Sequence, residues 1–157
     1  MMVTVIEKSK KIEYGDFQTP KELVDEGCKK LVELGVSPEY VIEPTCGLGV
    51  FLESATEKFS NVKKFVGVEV NSEYYSELKT ASKNFKKKKK IDIREGDFFK
   101  FDWQRLLKET GGEILILGNF PWVTNATQGA IGGLNLPQKT NFQNLHESGF
   151  PNFFLLF

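Results

Sequence analysis

Glu43-Pro44-Thr45-Cys46-Gly47-Leu48-Gly49 is the stretch on which the fold turns. It follows a short apolar run, Tyr40-Val41-Ile42, and precedes a helical pattern in which Phe51, Leu52, Ala55 and Phe59 share one face. Proline cannot continue a ladder, so a buried strand ends at Pro44 and the chain enters a helix through two glycines. Glycines at such a turn let the backbone approach a ligand closely. The same unit recurs downstream. Phe65-Val66-Gly67-Val68 reads as a second strand, and Asn71 or Ser72 caps a helix carrying Tyr75, Leu78 and Phe85. Ile91-Asp92-Ile93-Arg94 reads as a third strand leading to Gly96-Asp97-Phe98-Phe99. Asp102 caps a short helix through Leu107, Gly111-Gly112 breaks it, and Ile114 to Leu117 forms the fourth and most hydrophobic strand. Upstream, Thr19-Pro20-Lys21-Glu22 has the form of a capping box with proline at the first helical position. Leu23, Val24, Cys28, Leu31 and Val32 follow at helical spacing to about Gly35. Strands alternating with helices predict a parallel α/β sheet covered on both faces. Right-handed crossovers place its ligands at the carboxyl ends of the strands.

Composition narrows the function classes. The chain has 157 residues, 40% of them hydrophobic, with 21 basic and 21 acidic side chains. A chain of this size can bury roughly 70% of its unfolded surface, so one domain with a real core is expected without disulfides or metal. No apolar run approaches the roughly 20 residues that span a bilayer, and no secretory pattern opens the chain. The reading is a soluble, cytoplasmic protein with no membrane partner. Cys28 and Cys46 supply neither a disulfide framework nor a zinc spacing, and no metal site is expected. Zero net charge gives no global attraction to nucleic acid, so any such binding must be local. The lysine run Lys86 to Lys90 reads as a solvated loop, and the lone His146 has no partner pattern.

From Gly118 onward the pattern changes, with Lys139 and Glu147 the only charges among the last 40 residues. Long uncharged loops of this kind are usually functional or mobile. The chain ends on Phe153-Phe154-Leu155-Leu156-Phe157, which reads as a cut inside a core element of a larger protein.

Three consecutive strand tips carry candidate ligand groups. Glu69 lies 20 residues after Gly49, the spacing at which a carboxylate can accept from both ribose hydroxyls of a nucleotide; Val70 follows it. Asp97 and Phe98 offer an acceptor and an apolar wall for an adenine ring. A dinucleotide fingerprint would have a third glycine at position 52, where this chain has Leu52. Glu43, ahead of the glycines, suits a cationic ligand better than a phosphate. S-adenosyl-L-methionine, with a ribose and an ammonium, suits Glu43 and Glu69 together.

Gly118-Asn119-Phe120-Pro121-Trp122 follows the fourth strand. It resembles the Asn-Pro-Pro-aromatic motif of S-adenosylmethionine-dependent methyltransferases that modify exocyclic amino groups. Asp16-Phe17-Gln18-Thr19-Pro20 is similar to the Asp-Phe-x-Thr-Pro motif of DNA adenine methyltransferases of the gamma arrangement, and the order of motifs is the gamma order. Val123-Thr124-Asn125 looks like restriction-modification enzymes of this kind. The departure is Phe120, where the family usually has its first proline; phenylalanine keeps the main-chain carbonyl and gives up proline's rigidity.

The resemblance implies a Rossmann-like methyltransferase sheet of strand order 3-2-1-4, incomplete here, with residues 1–157 forming the N-terminal part of the catalytic domain and no target-recognition domain. It implies S-adenosyl-L-methionine as cofactor, held by Phe17, Thr19, Pro20, Glu43, Pro44, Cys46, Gly47, Gly49, Glu69, Val70, Asp97 and Phe98. It implies catalysis by Asn119, Phe120, Pro121 and Trp122 on an adenine flipped out of DNA. Asn119 and the Phe120 carbonyl would accept the two amino protons, and Trp122 would stack on the base. Protein-glutamine and RNA-adenine methyltransferases share the motif. From other classes, a nucleotide-dependent dehydrogenase would explain the glycines and Glu69 but not Asn119 to Trp122, and a non-catalytic fragment would expose a sheet edge to a partner. By itself the chain is expected to be catalytically silent and to self-associate through its unfinished sheet.

Overall fold

The computed structural model describes residues 18–86 and 90–120. Phe17, Pro121, Trp122, lysines 87–89, His146 and the apolar C-terminal run lie outside the described residues, and so do the expectations that fall on them. Helices α1 (Lys21–Glu33), α2 (Val50–Lys58), α3 (Ser72–Ala81) and α4 (Trp103–Glu109) alternate with strands β1 (Tyr40–Glu43), β2 (Lys64–Glu69), β3 (Ile91–Glu95) and β4 (Ile114–Ile116). The strands form one sheet of order β3-β2-β1-β4 in which all neighbours are parallel, as expected. Val41 stands opposite Phe65 and Leu115, and Ile42 opposite Val66 and Ile116.

Because side chains alternate across a strand, these two rows feed two separate cores. Val41 and Phe65 pack with Val24 and Cys28 of α1, Leu52 and Ala55 of α2, Phe59 at the end of α2, and Leu78 of α3. On the opposite face Ile42 and Val66 meet Leu106 of α4, bordered by Phe101, Trp103 and Ile114. Both faces are thus used, as a parallel sheet requires. The strand with the most hydrophobic run is not the best buried. Phe65, Val66 and Val68 of β2 are wholly buried, whereas Ile116 of β4 is 44% exposed, because β4 has a strand neighbour on one side only among the described residues.

Helix starts follow local chemistry with one correction. Asn71 caps α3, its Oδ1 accepting from the backbone N–H of Glu73 at 2.9 Å and of Tyr74 at 3.2 Å. Asp102 caps α4 by accepting from Arg105 N–H at 2.9 Å. Thr19, expected to cap α1, does not: Pro20 occupies the cap position with an extended ψ of 134°, and no side chain bonds the first turn. The extended Pro20 moves the helix start one residue on from where the box places it. Lys21 of that turn instead reaches Glu53 at 3.6 Å and Glu57 at 3.8 Å on α2, tying the two helices.

Candidate functional site

The carboxyl ends of β1, β2, β3 and β4 bring the expected site residues to one edge of the sheet. The glycine loop there is built from the inside. Gly47 and Gly49 have φ of +49° and +81°, a left-handed backbone that side chains with a Cβ resist. A β-carbon on Gly49 would also collide with Leu78 of α3, so this glycine is required by packing as well as by conformation. At Gly47 a β-carbon would lie 3.4 Å from the Gln18 side chain, which brings the segment ahead of α1 onto the loop. Thr19 in that segment is half-buried and Pro20 exposed.

Gly49 is the N-cap of α2 and has no side chain with which to cap it. Glu43 performs that task from the tip of β1, its Oε2 accepting from Leu52 N–H at 3.0 Å. The carboxyl group is 2% exposed, and burial pushes its pKa well above the usual range; the nearby Glu69 carboxylate adds to that rise while the Leu52 hydrogen bond opposes it. Leu52 itself explains the missing third glycine. In a dinucleotide fingerprint that glycine permits close helix–strand packing. Here the small residue is on the strand: a β-carbon on Gly67 would lie 2.7 Å from Leu52 Cδ1 and 3.0 Å from Cys46 Sγ. The helix keeps its leucine because β2 gives up a side chain, an exchange that the sequence reading did not detect.

Glu69 is the organising acid of the loop. Its Oε2 accepts from Gly47 N–H at 2.6 Å and its Oε1 from Asn71 N–H at 2.8 Å, so one carboxylate joins the glycine loop to the start of α3. Each carboxylate oxygen has more than one lone-pair site, so both retain capacity for a further donor. That acceptor pair fits the two vicinal hydroxyls of a ribose as donors. Val70 beyond it is 43% exposed, and Pro44 is buried. Cys46 is buried too, and its N–H donates to Val68 O at 2.9 Å. Burial, then the Glu43 and Glu69 charges, pushes its thiol far up; burial raises Cys28 to about 11. Neither thiol is a nucleophile near neutral pH.

At the tip of β3, Asp97 folds into its own turn, Oδ1 accepting from Phe99 N–H at 2.9 Å, while Oδ2 pairs with Lys100 at 3.2 Å. The Phe98 wall is fixed by Trp103, whose indole Nε1–H donates to the Phe98 carbonyl at 2.7 Å and whose ring lies 5.5 Å from the Phe98 ring. Trp103 was missed as a site residue because it is 5 positions along, past a turn and a helix start.

After β4, Leu117 N–H still donates to Ile42 O at 3.0 Å, and the chain then delivers Asn119, which is exposed, and Phe120, which is half-buried. The Thr45 hydroxyl of the glycine loop donates to the Asn119 carbonyl at 3.4 Å, and the Phe120 ring meets Phe98 at 5.4 Å, edge to face. Of the expected catalytic residues, Asn119 and Phe120 therefore stand beside the glycine loop and the β3 tip.

Together these features define a Rossmann-like α/β sheet whose strand tips bring together an acid bonded to the glycine loop, an aromatic wall and an asparagine. No protein-family model matches the chain. It is similar to the Type II methyltransferase M.NspV of Nostoc sp. (strain ATCC 29411 / PCC 7524), with 52% identity over 145 residues that cover 92% of this chain and 30% of that protein. It is also similar to the Type II methyltransferase M.CvrRI of Paramecium bursaria Chlorella virus XZ-6E, with 28% identity over 122 residues, 78% of this chain and 28% of that one. The chain spans less than a third of the length of these curated relatives. Among solved structures, Methanocaldococcus jannaschii Trm5 in complex with adenosine aligns with a TM-score of 0.49 and 22% identity, over 68% of this chain and 29% of that one.

Proposed function

We propose that this chain carries the cofactor-binding and catalytic part of a restriction-modification DNA methyltransferase of the gamma arrangement, acting on the exocyclic amino group of adenine in the cytoplasm. The observation that carries the reading is the junction of the glycine loop and the Asn119 segment, tied from Thr45 to the Asn119 carbonyl at 3.4 Å. It joins the loop that would hold an adenosyl ligand to the group that would meet an amine. The 52% identity to M.NspV supports it independently.

In this reading S-adenosyl-L-methionine, when bound, supplies an electrophilic methyl group. Glu69 accepts from the ribose, Gly47 and Gly49 shape the loop under the amino-acid end with Cys46 and Pro44, and Phe98 with Asp97 and Val70 borders the adenine. Glu43, buried beneath the loop, holds the start of α2 in place under it through the Leu52 N–H. Phe17, Thr19 and Pro20 close one side. Asn119 Oδ1 and the Phe120 carbonyl accept hydrogen bonds from the two N–H groups of the target amine, which draws its lone pair out of ring conjugation and makes it nucleophilic; once the nitrogen carries the methyl group, one of its protons is released to water. Pro121 and Trp122 complete the segment, Trp122 as the stacking surface for a flipped base.

The test uses the complete protein. Calorimetry with S-adenosylhomocysteine and with nicotinamide dinucleotides, followed by transfer of tritiated methyl to mixed-sequence duplex DNA, separates the classes. Binding of the homocysteine product with methyl transfer to DNA is expected. Binding of a nicotinamide cofactor with no response to S-adenosylhomocysteine contradicts the proposal.

A further inference from the structure

We infer that Phe120 is a positioning residue for methyl transfer: its ring, set against Phe98, holds the Asn119 acceptor in register with the adenosyl wall. The inference rests on the function proposed above and assigns a task to a side chain for which that function uses only the main-chain carbonyl.

The sheet stops holding this segment early. β4 ends at Ile116, and the Leu117 N–H bond to Ile42 is the last sheet-type tether before Asn119 among the described residues. Beyond it, the Thr45 bond to the Asn119 carbonyl is 3.4 Å long, at the weak end of the hydrogen-bond range. The Phe120 ring adds a contact of a different kind, 5.4 Å from Phe98 with the planes at 74°, a favourable edge-to-face geometry.

Phe98 is a firm partner because its position does not depend on β4. Its carbonyl is held by Trp103 Nε1–H at 2.7 Å, its ring touches Trp103, and Trp103 packs in turn on Phe101 at 4.7 Å. Trp103 and Phe101 belong to the core on the α4 face. The Phe120 contact therefore links the tip of β3, where the adenine is assigned, to the tip of β4, where the amine acceptors are assigned. The aromatic contact thus adds a restraint on the residue next to Asn119, from the wall assigned to the adenine.

Single-turnover methylation of DNA and S-adenosylhomocysteine affinity, measured on the complete protein and on Phe120→Leu, Phe120→Pro, Phe98→Leu and the Phe98→Leu/Phe120→Leu double variant, test this. Loss of an aromatic pair predicts that Phe120→Leu slows transfer about threefold to tenfold while cofactor affinity stays within about twofold. Phe120→Pro, which fixes φ covalently, is expected to restore most of the rate. The double variant is expected to be no slower than Phe98→Leu alone, since the shared contact is already gone. An unchanged rate in Phe120→Leu, an equal loss of rate and affinity, or additive losses in the double variant would overturn the inference. Phe120→Leu decides the matter even where proline does not fold. A wild-type protein that transfers no methyl group refutes the proposed function itself, and this inference with it; an active wild type with an indifferent Phe120 refutes the inference alone.

Discussion

The glycine loop and the Asn119 segment lie at the same edge of the sheet but are held by different physics. The loop is fixed by buried or nearly buried carboxylates: Glu69, 8% exposed, bonds two backbone N–H groups, and Glu43, 2% exposed, caps α2. Charge-assisted bonds in such surroundings are strong, and leaving one unmade is expensive. The Asn119 segment has a long hydroxyl bond and an aromatic edge contact, at residues that are exposed or half-buried. The lesson is a division of labour. In the proposed function, the part assigned to the cofactor is built into the fold through buried carboxylates, whereas the part assigned to the target base meets its surroundings through an aromatic edge and a long hydroxyl bond.

If the division is real, substitutions in the two regions should separate rate from affinity. The largest effect is expected from Asn119→Ala in the complete protein, which should lower kcat by about 10²- to 10³-fold, the scale of one lost transition-state hydrogen-bonding group, with cofactor affinity retained. A parallel loss of affinity would put Asn119 with the loop. Glu69→Gln should do the reverse. An amide offers one acceptor oxygen where two N–H groups now bond two, so S-adenosylhomocysteine affinity should fall by about 10- to 100-fold in calorimetry, corresponding to roughly 1.5–3 kcal/mol.

Glu43→Gln sharpens the loop's side of the contrast through pH. The glutamine oxygen still accepts from Leu52 N–H, but nothing titrates. Because burial raises the folded pKa of Glu43 above its ordinary value of 4.5, the protonated form is the one favoured by folding. Its stabilising contribution is fully present below about 4.5 and is lost as pH rises toward and through the raised folded value. Urea unfolding should therefore show wild type losing stability relative to Glu43→Gln as pH increases from 4.5, and a difference independent of pH would contradict the assignment. The smallest effect is expected from Trp103→Phe, which keeps a ring against Phe98 but removes the Nε1–H bond to its carbonyl. Adenosyl affinity should weaken about 2- to 10-fold, in line with one ordinary hydrogen bond.

What the sequence discloses follows the same contrast. The parallel sheet is legible because each strand is a short apolar run and two of the helix starts carry their signal, at Asn71 and Asp102. Glu69 and the glycine loop are legible because their spacing along the chain reflects one strand–helix–strand unit. The tasks of buried groups are not. Nothing in one dimension shows that Glu43 caps α2, because that depends on Gly49 having no side chain and on how β1 ends beneath the helix. Leu52 at the expected glycine position is intelligible only beside Gly67, since the complementarity of small and large residues is made in space. The Thr45–Asn119 bond joins residues 74 apart, and the Phe98–Phe120 contact joins two strand tips that are not neighbours in the sheet order. The Thr19 cap failed for a local reason, the extended Pro20, which a box-shaped motif does not reveal.

The central claim, that Asn119 and Phe120 present an amine-accepting pair beside an adenosyl site, is tested most directly by identifying the product. The complete protein is incubated with isotopically labelled S-adenosylmethionine and duplex DNA of mixed sequence, and the digested nucleosides are separated by mass spectrometry. The expected result is label in N6-methyl-2′-deoxyadenosine, absent when Asn119 is replaced by alanine. Label on carbon 5 of cytosine, or equal labelling with and without Asn119, would contradict it.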